Sequence, residues 1–109
     1  MLSSKIVYWF WNTYLGGLSH NDPAAQRAFP LRSAELASLP PTFLVTAELD
    51  PLQDEGRAFA QALRAAGVPV QYRHFDTAAH GFACSEGRHQ NFREFMRDLA
   101  AWLDKLNAA

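Results

Sequence analysis

Two residues have the type and placement that acid–base chemistry needs. Asp50 follows the apolar run Thr42-Phe43-Leu44-Val45-Thr46-Ala47 and precedes Pro51, while His80 stands in Ala78-Ala79-His80-Gly81-Phe82 after a second extended stretch. In an open α/β sheet, ligands bind in the crevice at the carboxyl ends of the strands. An Asp and a His projecting there from adjacent strands can meet. The carboxylate then accepts from one ring nitrogen, fixes the tautomer and stabilises the imidazolium, leaving the other nitrogen as a general base. Taken singly, Asp50 also fits turn chemistry before Pro51, and His80 an ordinary loop histidine. Spacing alone does not separate these readings.

Other chemistry-bearing residues carry less. His80, Cys84 and His89 offer three ligands, but no fourth ligand follows and the spacing matches no common zinc pattern. No metal and no cofactor is expected. Cys84, the single cysteine, lacks a C-x-x-C partner and is expected to be a buried or half-buried inert thiol. His74 shares a strand face with Val70 and Tyr72 and reads as structural. Tyr8, Trp9, Phe10, Trp11 and Tyr14 offer a stacking platform, although packing against another domain or subunit is the plainer reading.

These residues need elements to hold them. Ser4 to Leu15 reads as a helix stopped by Gly16-Gly17, apolar on every side and so expected to be covered on every side. Leu18 to Pro41, broken by Pro23, Pro30, Pro40 and Pro41, reads as loop with a helical turn near Ser33 to Ser38. Thr42 to Ala47 lacks alternation, as a strand buried on both faces does. Asp54 is the expected N-cap of a helix from Glu55 to Ala66, closed by Gly67. A more polar strand follows from Val68 to Phe75. In the last helix, Gln90 to Leu106, the residues Phe92, Phe95, Met96, Leu99, Trp102, Leu103 and Leu106 recur at helical spacing. Strand, helix and strand with short connections imply a right-handed parallel crossover. The fold class is α/β with a short parallel sheet, in one domain over residues 1–109.

The 109 residues carry ten basic and eleven acidic side chains, interspersed, for a net charge of −1. Nothing there suggests nucleic acid or an anionic membrane surface. No apolar run reaches the ~20 residues of a membrane span. The N-terminus has no basic region or small-residue cleavage site, so no signal peptide is read there. With one cysteine, a reducing compartment and a cytoplasmic location are expected.

From Trp9 to Leu103 the chain resembles the C-terminal third of the hormone-sensitive-lipase-like branch of the α/β-hydrolases. The resemblance rests on Tyr14-Leu15-Gly16, Pro30-Leu31-Arg32, Leu39-Pro40-Pro41-Thr42, Asp50-Pro51-Leu52-Gln53-Asp54-Glu55-Gly56, Leu63-Arg64-Ala65-Ala66-Gly67-Val68 and His80-Gly81-Phe82, in that order. It implies ester hydrolysis, with Asp50 as triad acid and His80 as triad base. Phe29 departs from the small residue that often precedes Pro30, and Thr77 stands where Gly is common. The larger departure is that neither a G-x-S-x-G elbow nor an H-G-G-G-type oxyanion loop occurs. Gly17-Leu18-Ser19-His20-Asn21 imitates the elbow but lacks the final Gly and follows a helix.

Three expectations follow. The chain is a segment of a carboxylic-ester hydrolase, inactive without a nucleophile. Alternatively, it is a non-catalytic module that self-associates, a homodimer joined through the open strand edge at Phe43, Leu44 and Val45 and through the aromatic first helix. In the third, a separate chain brings the elbow and the oxyanion loop, and only then is a small ester a substrate.

Overall fold

Ser3 accepts the Ile6 N–H and opens helix α1 (Ser4–Leu15), which Gly16 ends in the left-handed conformation at φ 59°, as the Gly16-Gly17 stop predicts. A computed structural model of the chain describes residues 2–108. After α1 come three 3₁₀ turns, Pro23–Ala28, Pro30–Arg32 and Leu36–Ser38, then strand β1 (Thr42–Leu49) and helix α2 (Gln53–Ala65). Strand β2 (Val70–Ala79), a 3₁₀ turn at Phe82–Cys84 and helix α3 (Gln90–Ala108) complete the order. The expected turn near Ser33 to Ser38 is present. Two more begin at Pro23 and Pro30, where a fixed φ suits the first helical position and the missing N–H costs nothing.

β1 and β2 form a two-stranded parallel sheet, as the strand–helix–strand order predicts. The sheet has a helix on each face. On one side Ala47, Phe75, Ala78 and Phe82 pack with Val45 and Phe95, and Phe43 stacks against Phe95 and Trp102 of α3. Arg73 reaches out from this face to Glu94 and Asp98 of α3. On the other side α2 comes so close that a Cβ on Gly56 would lie 2.7 Å from Cγ2 of Thr46. Thr46 is held there by its hydroxyl, 2.6 Å from Tyr72 OH and 2.9 Å from His74 Nδ1. His74 is thus structural, as its strand face suggested.

α2 ends in a Schellman motif: Val68 N–H bonds the Leu63 carbonyl and Gly67 N–H the Arg64 carbonyl, with Gly67 at φ 83°. Leu63 and Val68 are both buried, which fixes the entry to β2. Its start corrects an expectation. The N-cap position falls at Leu52, and Asp54 lies inside the first turn. β2 also runs four residues past Phe75, to Ala79.

The register between the strands is not uniform. Thr42 to Ala47 pair one-to-one with Val70 to Phe75, but Leu49 pairs with Ala79. Two residues of β1 are therefore matched by four of β2, a bulged stretch ending where the strands deliver Asp50 and His80.

A separate apolar cluster of Leu15, Ala25 and Phe29 holds α1 to the turns, with Trp11 stacked on Phe29 at 4.8 Å. The rest of α1 is uncovered: Trp9 is 60% and Tyr14 76% exposed. Met96, Leu103 and Leu106 of the α3 stripe are exposed too. The cover that the apolar pattern calls for is thus present on one side only.

Gly56→Ala tests the α2 contact. Helix propensity alone favours Ala by about 1 kcal/mol, but Thr46 is pinned by two hydrogen bonds and cannot swing aside. Overpacking of this kind costs about 1–3 kcal/mol. The expected net result is a lower urea midpoint at unchanged m-value; a raised midpoint would show that α2 lifts freely.

Candidate active site

Asp50 leaves the end of β1 and its two oxygens do different work. Oδ1 accepts the Leu52 N–H at 2.9 Å, closing the turn into α2, while Oδ2 lies 2.9 Å from Nδ1 of His80. The turn reading of Asp50 is realised, and the same carboxylate also meets the imidazole of His80. This is also why Asp54 is not needed as a cap. A carboxylate that already holds the helix-entry turn has little freedom left, so it presents Oδ2 in a fixed direction.

His80 is anchored through its backbone as well, its N–H bonding the Leu49 carbonyl at 3.1 Å. Gly81 follows at φ 84°, a left-handed position that lets the chain turn sharply into the Phe82–Cys84 turn. Phe82 is buried against Phe75 and Phe95, so the residue two places after His80 is nailed to the core. The side chain of His80 remains 42% exposed against 16% for Asp50. A carboxylate only accepts, so Nδ1 carries the hydrogen and Nε2 holds the lone pair. Among the described residues Nε2 makes no hydrogen bond.

None of the serines bonds to His80. Ser19 Oγ accepts the Asn21 N–H, Ser33 Oγ the Glu35 N–H, and Ser3 Oγ the Ile6 N–H, while Ser38 donates to the Glu35 carbonyl. Ser85 Oγ is buried without a partner. Cys84 is exposed, against the expectation of a buried or half-buried thiol, because the short turn buries the Phe82 ring and turns Cys84 outward. His80, Cys84 and His89 form no metal group; among the described residues no cluster of three or more His, Cys, Asp or Glu is arranged to hold one. His89 Nδ1 instead accepts the Asn91 N–H at the start of α3. Beside Asp50 lies a cavity of about 360 Å³, lined by Trp11, Leu31, Leu44, Val45, Leu52 and Phe59 among others. No sequence signal pointed to it, since its walls come from four separate elements.

A parallel sheet with a helix on each face, and a carboxylate–imidazole pair at the strand ends, defines an α/β protein. The comparisons agree. A family model described as "alpha/beta hydrolase fold" matches residues 1–84, a stretch that includes both Asp50 and His80, and the chain belongs to that family. It is 42% identical over 82 residues to the carboxylic ester hydrolase LipN of Mycobacterium tuberculosis, covering 75% of this chain and 22% of that protein. It is 36% identical over 105 residues to human arylacetamide deacetylase-like 2, covering 90% of this chain and 26% of that protein. Among solved structures, one of the fungal esterases of Rhizomucor miehei aligns with 99% of this chain at a TM-score of 0.77 and 32% identity. An esterase of Pyrobaculum calidifontis aligns with all of it at a TM-score of 0.77 and 29% identity. The chain spans 34% of each of those two structures. No helix among the described residues is long and apolar enough to cross a membrane.

The dual bonding of Asp50 makes two variants unequal. Asp50→Ala frees the Leu52 N–H and should lower stability by about 1 kcal/mol, as loss of a helix-entry cap does. His80→Ala removes an exposed partner and should change it by less than about 0.5 kcal/mol. Urea denaturation of both compares them; equal losses would mean that the turn contact contributes nothing.

Proposed function

We propose that this chain is the acid–base segment of a carboxylic-ester hydrolase, with Asp50 as the acid and His80 as the base of a serine triad whose nucleophile lies outside these 109 residues. The observation that carries the reading is the 2.9 Å contact of His80 Nδ1 with Asp50 Oδ2, at the strand ends where this family matches. It is supported by the esterases and ester hydrolases among the chain's relatives. In the reaction, Nε2 of His80 takes the hydroxyl proton as the serine oxygen attacks the acyl carbon. It then returns that proton to the departing alcohol, leaving an acyl-enzyme. A water deprotonated by the same nitrogen releases the acid and the free serine. Asp50 keeps Nδ1 protonated and stabilises the imidazolium at each transfer.

On this reading the chain alone takes no fluorophosphonate label and turns over p-nitrophenyl esters no faster than buffer. Co-folded with an elbow-bearing segment of a related esterase, it gains label and turnover, and Asp50→Asn then lowers kcat by about 10⁴-fold. Turnover by the purified chain that survives His80→Ala would sink the reading.

A second reading is a self-associating, non-catalytic module, supported by the edge of β1 and the bare aromatics of α1. Among the described residues β1 pairs with β2 alone, so its other edge, at Phe43, Leu44 and Val45, has no strand partner. Unpaired apolar edges template strand pairing. Sedimentation velocity should then find a dimer that Leu44→Lys dissociates; a well-folded monomer at micromolar concentration removes this alternative.

A further inference from the structure

The Asp50–His80 contact depends on the uneven stride of the two strands. Continued one-to-one from Ala47 and Phe75, the register would set Asp50 opposite Ala78. His80 would then lie two residues further along, roughly 6–7 Å away at the usual strand rise. The two residues that β2 takes up between Phe75 and Ala79 bring His80 back level. Something must hold those residues in place, because a bulge surrenders ladder hydrogen bonds and leaves its residues unpaired.

The structure supplies a partner for one of them. Thr77 sits within the bulged stretch, and its Oγ1 accepts a 2.9 Å hydrogen bond from Nδ2 of Asn91 in the first turn of α3. Asn91 is 5% exposed, one of two buried polar residues among the described ones. Its backbone N–H is bonded in turn to Nδ1 of His89. Burying an amide is costly unless it is paired, so this contact is held by more than its own strength. The residue before the buried Ala78 and three before His80 is thus tied to the first turn of α3.

We propose that Thr77 and Asn91 form a latch that positions His80 against Asp50. They are positioning residues, acting through the register of β2 and touching neither substrate nor reacting atom. The significance of the latch for catalysis rests on the acid–base reading, but the latch itself is a claim about the imidazole and can be tested without an ester.

The test is ¹⁵N NMR of the His80 ring in the folded chain, which reports which nitrogen carries the hydrogen. In the parent chain the Nδ1–H form dominates, held by Asp50. Thr77→Val keeps the side-chain shape and removes the hydroxyl; the ratio of Nδ1–H to Nε2–H should fall about fivefold, the weight of one hydrogen bond. Thr77→Ser should restore it. The double variant Thr77→Val with Asn91→Leu leaves no buried donor orphaned and should show the same fall while remaining folded. A lower melting temperature with an unchanged tautomer ratio in these variants would make the contact merely structural and overturn the proposal. If the parent chain itself lacks the Nδ1–H preference, the acid–base pairing fails first, and the two failures are distinct.

Discussion

Two parallel strands in unbroken register would place Asp50 opposite Ala78, and the two additional residues of β2 put His80 there instead. The rest of the structure can be understood as what this offset requires. Phe75 just before the bulged stretch and Ala78 within it keep β2 on the α3 face of the sheet. The Leu49 carbonyl takes the His80 N–H just beyond it, so the strands are rejoined before the site begins. On the α2 face, Glu48 marks the position at which one-to-one pairing stops. Its carboxylate lies 3.0 Å from Nε2 of His74, and its carbonyl accepts from Gln53 at 2.8 Å. The acceptor-only carboxylate puts the hydrogen of His74 on Nε2, so Nδ1 accepts from Thr46 and Thr46 accepts from Tyr72. This chain of bonds stiffens the two strands immediately ahead of the irregular stretch.

The sequence made the pair legible and left the offset hidden. Asp50 and His80 could be picked out because each closes an extended stretch, and because both sit in motifs resembling one family. Helix α1 was readable to the residue, since a serine and a glycine bracket it. The start of α2 was misread because Asp54 and Asp50 compete for the same task. Sequence favours the aspartate adjacent to the apolar face, whereas the turn is closed by the one already fixed at the strand end. β2 was cut short at Phe75 because alternation fails there, and a bulge is a failure of alternation within a continuing strand. Asn91 carried no signal at all. A lone polar residue at the start of an amphipathic helix reads as solvent-facing until a partner from another element is seen to bury it.

Apolar patterning and burial disagree in an ordered way. Where α3 lies over the sheet, Phe95 and Trp102 stack on Phe43, and farther along the same helix Leu103 and Leu106 remain exposed. Along α1 only Leu15 is buried, although the helix carries aromatic residues all round. Both helices were written for more cover than two strands and one layer of turns provide. This chain spans from 22% to 34% of the length of the relatives it matches.

That imbalance separates two things a hydrolase fold must do. Building a carboxylate–imidazole pair requires only local parts: a helix-entry turn that uses one carboxylate oxygen, a strand offset of two residues, and a left-handed glycine leading into an anchored phenylalanine. These parts lie in one strand–helix–strand unit and the turn that follows it, anchored on α3 through Phe82 and Phe95. Burying the faces that flank it is a global task, and the same unit leaves it unfinished. Preorganisation of the imidazole and protection of the core are therefore encoded in different residues. A change such as Gly56→Ala acts through the packing of a whole layer, whereas Thr77 and Asn91 act on the position of one ring.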